Sequence, residues 1–346
     1  MNASIALSII IPCRNEKKYI GHCLESIIVS NFPKDQLEVF VVDGMSNDGT
    51  RDIVNSYVQA QPFIGLLDNE RRITPIGMNI GIKQSRGRFI MILSSHSEIE
   101  PHFIKNNVEA LQNHEVDCVG GILVTMPGGA SLTAQAISIA LSEPFGVGNS
   151  YFRTGVKESR YVDTVPFGCY RREVFHRIGL FDEDLVRNQD DELNLRLLKS
   201  GGKILLEPGI VSHYYARDRL YKLFRMFYQY GFFKPLVARK LGSVLTVRQI
   251  IPACFVGCMI LSFLLTPLSV IFLWLLVGVF TSYLIASITS SLYASRKHGI
   301  KYLPVLPIVF ATLHFSYGLG YLRGILDFII LRRHRRKTME DMPLTR

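Results

Sequence analysis

From Gln249 to Ser295 the chain carries no Asp, Glu, Lys or Arg. An ordinary soluble domain has no use for so long an uncharged run, whereas a bilayer core requires about 20 apolar residues per helical crossing. The run is long enough for two crossings, predicted over 250–266 and 269–292, with a tight turn at Thr266-Pro267-Leu268-Ser269. A chain with 48% apolar residues has to be read for a membrane first and for soluble structure second.

The charges outside that run support the same reading. Residues 1–210 carry 21 Lys/Arg against 25 Asp/Glu, residues 211–248 carry 8 against 1, and residues 249–346 carry 10 against 3. The positive excess therefore flanks apolar segments, while a nucleic-acid binder would place it on the folded domain. Lipid headgroups and topology bias explain this placement, so a membrane partner and no nucleic acid are expected. The stretch 214–248 mixes Tyr221, Phe224, Phe227 and Tyr228 with Lys222 and Arg225 at helical spacing, which predicts interfacial amphipathic helices. The basic loop Arg296–Lys301 predicts a cytoplasmic position, shared with the N-terminal domain. A third apolar segment, 302–331, is interrupted by Pro304, Pro307, Gly318, Gly320, Arg323, Gly324 and Asp327. It reads either as a third span or as a re-entrant or in-plane helix returning to the cytoplasm. The second alternative keeps the basic tail 332–346 inside.

Before residue 213 the pattern changes to an α/β fold with a mostly parallel sheet. Strand-like runs at Ser8–Pro12, Glu38–Val42, Ile64–Leu67 and Arg88–Leu93 alternate with helical patterns at Lys18–Val29, Arg51–Gln59 and Thr74–Ser85. Ligands in such sheets sit beyond the carboxyl ends of the strands. Polar clusters stand there three times: Arg14–Glu16, Asp43–Asp48 and Ser94–His96. Any one of them reads equally well as a loop, but their recurrence marks a site. Farther on, Asp190-Asp191-Glu192 opens a helix, where carboxylates complement the helix dipole or face a cleft. The six cysteines form no CxxC pair, and Cys254 and Cys258, one helical turn apart, read as small apolar residues. The N-terminus lacks a basic region and a cleavage site, which predicts a buried strand and no signal peptide.

In order along the chain, Ser8–Glu16 (SIIIPCRNE), Val41–Thr50 (VVDGMSNDGT), Thr74–Gly87 (TPIGMNIGIKQSRG), Val165–Glu173 (VPFGCYRRE) and Gln189-Asp190 resemble the motifs of the family 2 glycosyltransferases over about residues 5–215. The resemblance is closest to membrane-bound enzymes of bacterial exopolysaccharide (succinoglycan-type) synthesis. It implies a GT-A nucleotide-sugar-binding domain over 1–213. Donor contacts are implied at Pro12, Arg14, Asn15, Glu16, Asp43, Asn79, Ser94 and His96, with Asp190 as the base and Asp191 as its fallback. The pattern departs from the family where an Asp-x-Asp motif usually binds a divalent cation (Mg or Mn). Here Ser94-Ser95-His96 stands in its place, and related GT-A enzymes imply a metal shared by His96 and His213.

The expected function is an inverting transfer of a sugar from a nucleotide-sugar donor to a polyprenyl-linked saccharide acceptor, in a multi-pass protein of the cytoplasmic membrane. A polyprenyl-phosphate sugar synthase is the enzymatic alternative, and a degenerate glycosyltransferase acting as a scaffold is the non-enzymatic one. No Gln-x-x-Arg-Trp motif of processive synthases occurs, and the sole tryptophan is Trp274 within the apolar run, which predicts single-sugar addition.

Overall fold

A computed structural model describes residues 4–242 and 246–333. The chain divides into two compact units, one formed by Met1–Val124 with Gly155–Tyr215, the other by Thr125–Thr154 with Ala216–Arg346.

The first unit begins with the expected alternation: β1 (Leu7–Cys13), α1 (Ile20–Ile28), β2 (Leu37–Asp43), α2 (Thr50–Ala60), β3 (Ile64–Asp68), α3 (Thr74–Gln84) and β4 (Phe89–Ile92). Strands β1, β2 and β4 are buried along nearly their whole length, as fits strands covered by helices. The apolar faces of α1 and α2 supply that cover with Ile20, Cys23, Leu24, Ile27 and Val54. β5 (Ser97–Ile99), α4 (Phe103–Asn113) and β6 (Cys118–Met126) follow, then, after the other unit's excursion, β7 (Arg160–Tyr161), β8 (Cys169–Arg171), α8 (Arg172–Ile178), α9 (Gln189–Lys199) and β9 (Ile204–Tyr215).

The strand order is β3-β2-β1-β4-β8-β6-β9-β5, with β7 on β9. Pairings among β1–β4 are parallel, because helical crossovers join those strands. The β4–β8, β6–β8, β5–β9 and β7–β9 pairs are antiparallel, whereas β6 runs alongside β9 in the same direction, bonded by Asp117 N–H to the Lys203 carbonyl at one end and Ala216 N–H to the Met126 carbonyl at the other, so the sheet is mixed. The parallel strands bring the loops after β1, β2 and β4 to one edge of the sheet.

In the second unit the excursion forms α5 (Leu132–Ala140), α6 (Pro144–Val147) and α7 (Tyr151–Thr154), followed by α10 (Leu220–Leu241), α11 (Val247–Leu265), α12 (Val270–His298) and α13 (Leu306–Gly324), which continues as a π-helical stretch over Ile325–Ile330. Among the described helices, two are long and apolar enough to cross a membrane, Arg248–Leu265 and Val270–His298. Their outward residues, including Leu264, Ile271 and Trp274, are exposed.

Three expectations change here. The segment 125–154 groups with the C-terminal helices and not with the catalytic domain 1–213. It is tied to them by Arg248 Nη1 to the Asn149 carbonyl (2.9 Å), Tyr302 to Gln135 (2.5 Å), and His314, which donates to the Phe145 carbonyl (2.8 Å) and accepts from Tyr283 (3.0 Å). The amphipathic stretch is one helix, α10, whose Leu223, Met226, Phe232, Phe233 and Val237 are buried; residues 243–245 of the expected 214–248 collar lie outside the described residues. The apparent interruptions of 302–331 also have structural explanations. Pro307 sits in the first turn of α13, where a missing N–H costs nothing, Gly318 faces Pro252 and Val256 of α11, and Gly320 and Gly324 lie at the contact with α10. A methyl group on Gly231, Gly320 or Gly324 would overlap the Tyr317, Tyr228 or Phe232 carbonyl oxygen respectively. These glycines let the two backbones touch. Asp327 is buried and paired with Arg323 (2.9 Å) and Arg333 (3.3 Å). The expected tail lies outside the described residues from His334 onward.

Candidate active site

The loops after β1 and β2 form a single bonded ledge. Gly44 donates to the Cys13 carbonyl (2.7 Å), Asn15 N–H to Ser46 Oγ (2.8 Å), Asn47 N–H to Asn15 Oδ1 (3.0 Å), and Glu16 N–H to Thr50 Oγ1 (2.8 Å). Asp48 closes it by accepting from Lys17 N–H (3.1 Å) and from Thr50 N–H (3.0 Å) and Oγ (2.5 Å). Burial alone would push the Asp48 carboxyl up, but the bonds from Thr50 and Lys17 hold it below the usual carboxylate range. Asn15 and Met45 both have φ near +57° (55° and 58°), and Phe167 and Asn188 are also left-handed at 50° and 59°. Backbone strain of this kind is concentrated in functional loops.

Asp43 ends β2 and is fully buried. It accepts from Ser46 N–H (2.9 Å) and Oγ (2.5 Å) and pairs with Arg51 at 2.8 Å, which also reaches Asp68 at 2.8 Å. Sequence reasoning missed Ser46 and Arg51, although Arg51 follows the motif directly. Pro12 lies opposite Val42 in the last part of β1, and the exposed Arg14 lays its side chain over Gly44.

Asn79 has its amide engaged within the protein. It lies on α3 at 3% exposure, donates to the Phe181 carbonyl (2.9 Å) and Glu183 (3.0 Å), and accepts from Phe181 N–H (3.0 Å). Both ends of its amide brace the segment ahead of α9, so it positions that loop. Asn79→Ala leaves the Phe181 N–H and carbonyl without these partners in a buried place. The expected loss is about 1–3 kcal/mol, read as a lower denaturation midpoint, with nucleotide affinity of the folded protein little changed.

Beyond β4, Ser94 Oγ lies 3.0 and 3.2 Å from the two His96 ring nitrogens, and Glu16 Oε1 is 3.7 Å from His96 Nδ1. The Tyr214 ring packs on His96 at 5.4 Å between centroids. His213 instead stands across from Glu98 on β5, with Nε2 3.4 Å from Glu100.

Asp190 is exposed in the first turn of α9, and Asp191 beside it is half-buried. The helix beneath them is anchored. Asn194 is fully buried, accepting from Tyr170 (2.8 Å) and donating to Thr164 (2.9 Å). Arg196 pairs with Glu192 (2.7 Å) and donates to the Ile178 and Leu180 carbonyls. Burial pushes the Tyr170 phenol well above its ordinary range, with Cys118 and Asp190 adding to the shift. Tyr170 therefore stays a neutral donor close to Asp190.

The family model described as glycosyl transferase family 2 matches residues 8–179. The dolichyl N-acetyl-alpha-D-glucosaminyl phosphate 3-beta-D-2,3-diacetamido-2,3-dideoxy-beta-D-glucuronosyltransferase of Methanococcus voltae is 31% identical over 92% of this chain and 97% of its own length. The chain belongs to glycosyl transferase family 2. The succinoglycan biosynthesis protein ExoA of Rhizobium meliloti is 26% identical over 92% of this chain and 95% of its own. Among solved structures, the mannosyltransferase PcManGT of Pyrobaculum calidifontis, in complex with GDP-Man and Mn2+, superposes with a TM-score of 0.59 at 16% identity. It covers 93% of this chain and 87% of that one. This likeness confirms the fold, a GT-A-like mixed α/β domain.

As a family 2 glycosyltransferase the protein raises the question of a cation. Among the described residues no group of three or more His, Cys, Asp and Glu side chains converges as a metal cage. A Mg2+-type ion in a phosphate-binding enzyme takes few protein ligands and completes its shell from substrate phosphates and water. A carboxylate, an imidazole and a hydroxyl, which is the set at Glu16, His96 and Ser94, suffice chemically for that role. His96 engages Ser94 and Glu16, and His213 engages Glu100.

Proposed function

We propose that this glycosyltransferase transfers one sugar, with inversion, from a nucleoside-diphosphate sugar to a polyprenyl-linked saccharide at the cytoplasmic face of the membrane. The observation that carries the reading is the exposed Asp190 carboxylate on a rigidly braced helix start. Asp190 takes the proton from the acceptor hydroxyl as that oxygen attacks the anomeric carbon. The bond to the diphosphate breaks on the opposite side, and its electron pair leaves with the phosphate oxygen. The ledge of Arg14–Glu16 and Ser46–Asp48 supports the nucleoside, and Asp43 keeps that ledge in place through Ser46 and Arg51. Glu16 and His96 would hold a divalent cation, which compensates the charge developing on the diphosphate.

A lipid-linked acceptor is supported by the name of the Methanococcus voltae relative and by the two apolar helices. The cytoplasmic, multi-pass placement is supported by the basic Arg296–Lys301 segment, whose Arg296–His298 form the last turn of α12. Mass spectrometry of the lipid product tests the acceptor. The reading expects the lipid-linked saccharide to gain one sugar residue and its phosphate to stay in place. A product consisting of one sugar on a bare polyprenyl phosphate would replace it with the phospho-sugar synthase.

A further inference from the structure

We propose that three arginines gathered where α10 and α13 end, Arg239, Arg323 and Arg333, bind the phosphate linkage of the lipid-linked acceptor. The inference rests on the lipid-acceptor reading above and deepens it, by naming the residues that hold the acceptor's anionic group.

The three guanidinium groups converge on two neighbouring residues of the π-helical stretch Ile325–Ile330, a local geometry that recurs at functional sites. Asp327 is 1% exposed, and it accepts from Arg323 Nε at 2.9 Å and from Arg333 Nη1 at 3.3 Å. Phe328 presents one of the last carbonyls of the helix, where donors within the helix run out. Arg239 of α10 supplies a donor to it, Nη1 at 2.7 Å. Arg332 takes a left-handed φ of 46° and turns the chain back over the helix end. The Arg333 N–H thereby reaches the Asp327 carbonyl at 2.9 Å, so backbone and side chain of Asp327 both fix Arg333.

This cluster holds more positive charge than its own packing needs. Among the described residues, Asp327 is the only carboxylate these arginines engage, so one negative charge stands against three positive ones. A single arginine compensates a buried carboxylate. The Arg323 and Arg333 side chains stay about half exposed, at 48% and 52%, and Arg239 is exposed as well. Each guanidinium carries five N–H donors and uses one in the bonds above. The outer N–H groups can therefore make the paired bonds by which arginine grips phosphate oxygens.

The surroundings specify a phosphate attached to a lipid. Leu326, Ile329, Ile330 and Leu331, on the same stretch of chain, are all exposed. An apolar edge beside fixed cations suits a ligand whose anionic group is joined to a hydrocarbon chain. Anionic headgroups in general are attracted by clusters of mobile basic side chains. Here a buried carboxylate and a backbone carbonyl hold the guanidinium groups in place, which favours one defined phosphate group.

The test uses purified full-length protein in detergent, with radiolabelled geranylgeranyl diphosphate, a short polyprenyl diphosphate, as the probe. Wild type is expected to bind it saturably. Unlabelled geranylgeranyl phosphate should displace it, whereas geranylgeraniol, inorganic pyrophosphate and phosphatidylglycerol should each compete about tenfold less well or worse. Arg239→Gln and Arg333→Gln are each expected to weaken binding by about tenfold, since a charged contact is lost while Arg323 stays on Asp327. In transfer assays both variants should raise KM for the lipid-linked saccharide by a similar factor, with kcat and KM for the nucleotide-sugar near wild type. A purely structural role would lower the thermal midpoint or kcat without that selective rise. Equal competition by phosphatidylglycerol would make the cluster a headgroup site, and equal competition by pyrophosphate would remove the lipid from its ligand. Either result, absence of binding in wild type, or unchanged binding in both variants overturns the assignment. The competition series needs only wild type, so it decides the matter even where a variant does not fold. Transfer to the lipid-linked saccharide that persists through such a failure leaves the acceptor reading standing, and a wild type that elongates no lipid-linked saccharide sinks that reading itself.

Discussion

Asp190→Asn is expected to reduce sugar transfer by about 10²–10⁴-fold while leaving nucleotide affinity within a few-fold of wild type. The substitution keeps the shape of the side chain and removes its ability to accept a proton. Asp190 is exposed in the first turn of α9, and Asn194, Tyr170 and Arg196 continue to hold the helix. The loss should appear in kcat, measured as turnover of the nucleotide-sugar, and the folded fraction should be unaltered. Asp191→Asn is the matched control: the half-buried neighbour is expected to keep most of the activity. Full transfer in Asp190→Asn, with loss in Asp191→Asn, would move the base by one residue.

The second large effect is expected far from the chemistry. In Gly320→Val, the added branched side chain starts where the Tyr228 carbonyl oxygen of α10 already stands. That oxygen belongs to backbone and cannot swing aside as the end of a side chain could. Relief requires α10 and α13 to separate, at a cost of about 1–3 kcal/mol or more. Gly324 meets the Phe232 carbonyl in the same way, so the double variant Gly320→Val/Gly324→Val should fail to yield stable protein in detergent. Gly257→Ala on α11 is the control, because its nearest neighbours are Leu322 methyl groups at 3.6 and 3.9 Å. Thermal unfolding in detergent separates the cases: a midpoint lowered in Gly320→Val and unchanged or raised in Gly257→Ala is expected. Equal midpoints in both would show that the glycine contacts are unimportant.

What could be read from the sequence follows from what each signal encodes. Alternating apolar runs and helical periods located β1 to β4 and their crossovers, because burial of parallel strands imposes that composition. The polar clusters after β1, β2 and β4 were visible for the same reason. The partners of Asp43 were not visible, since Ser46 and Arg51 become neighbours of its carboxylate only when the loop folds back. Asn79 occupies a motif position, and a motif does not say which way its side chain faces. Strand pairing sets Tyr214 against His96 and His213 across from Glu98, a register that a motif position does not carry. Glycine and proline in 302–331 suggested interruption, whereas proline at a helix start and glycine at a close helix contact are both compatible with a continuous helix. The excursion 125–154 follows β6 without a break in composition, so its grouping with α10–α13 depends on distant contacts such as Gln135 with Tyr302.

One measurement bears most directly on the central claim of nucleotide-sugar-dependent transfer. Membranes containing the wild-type protein or Asp190→Asn are incubated with a panel of nucleoside-diphosphate sugars and a lipid-linked saccharide, and release of nucleoside diphosphate is followed. The predicted result is release from one donor of the panel, dependent on the acceptor and abolished in Asp190→Asn. Release that is equal in the two membranes, or absent with every donor, would contradict it.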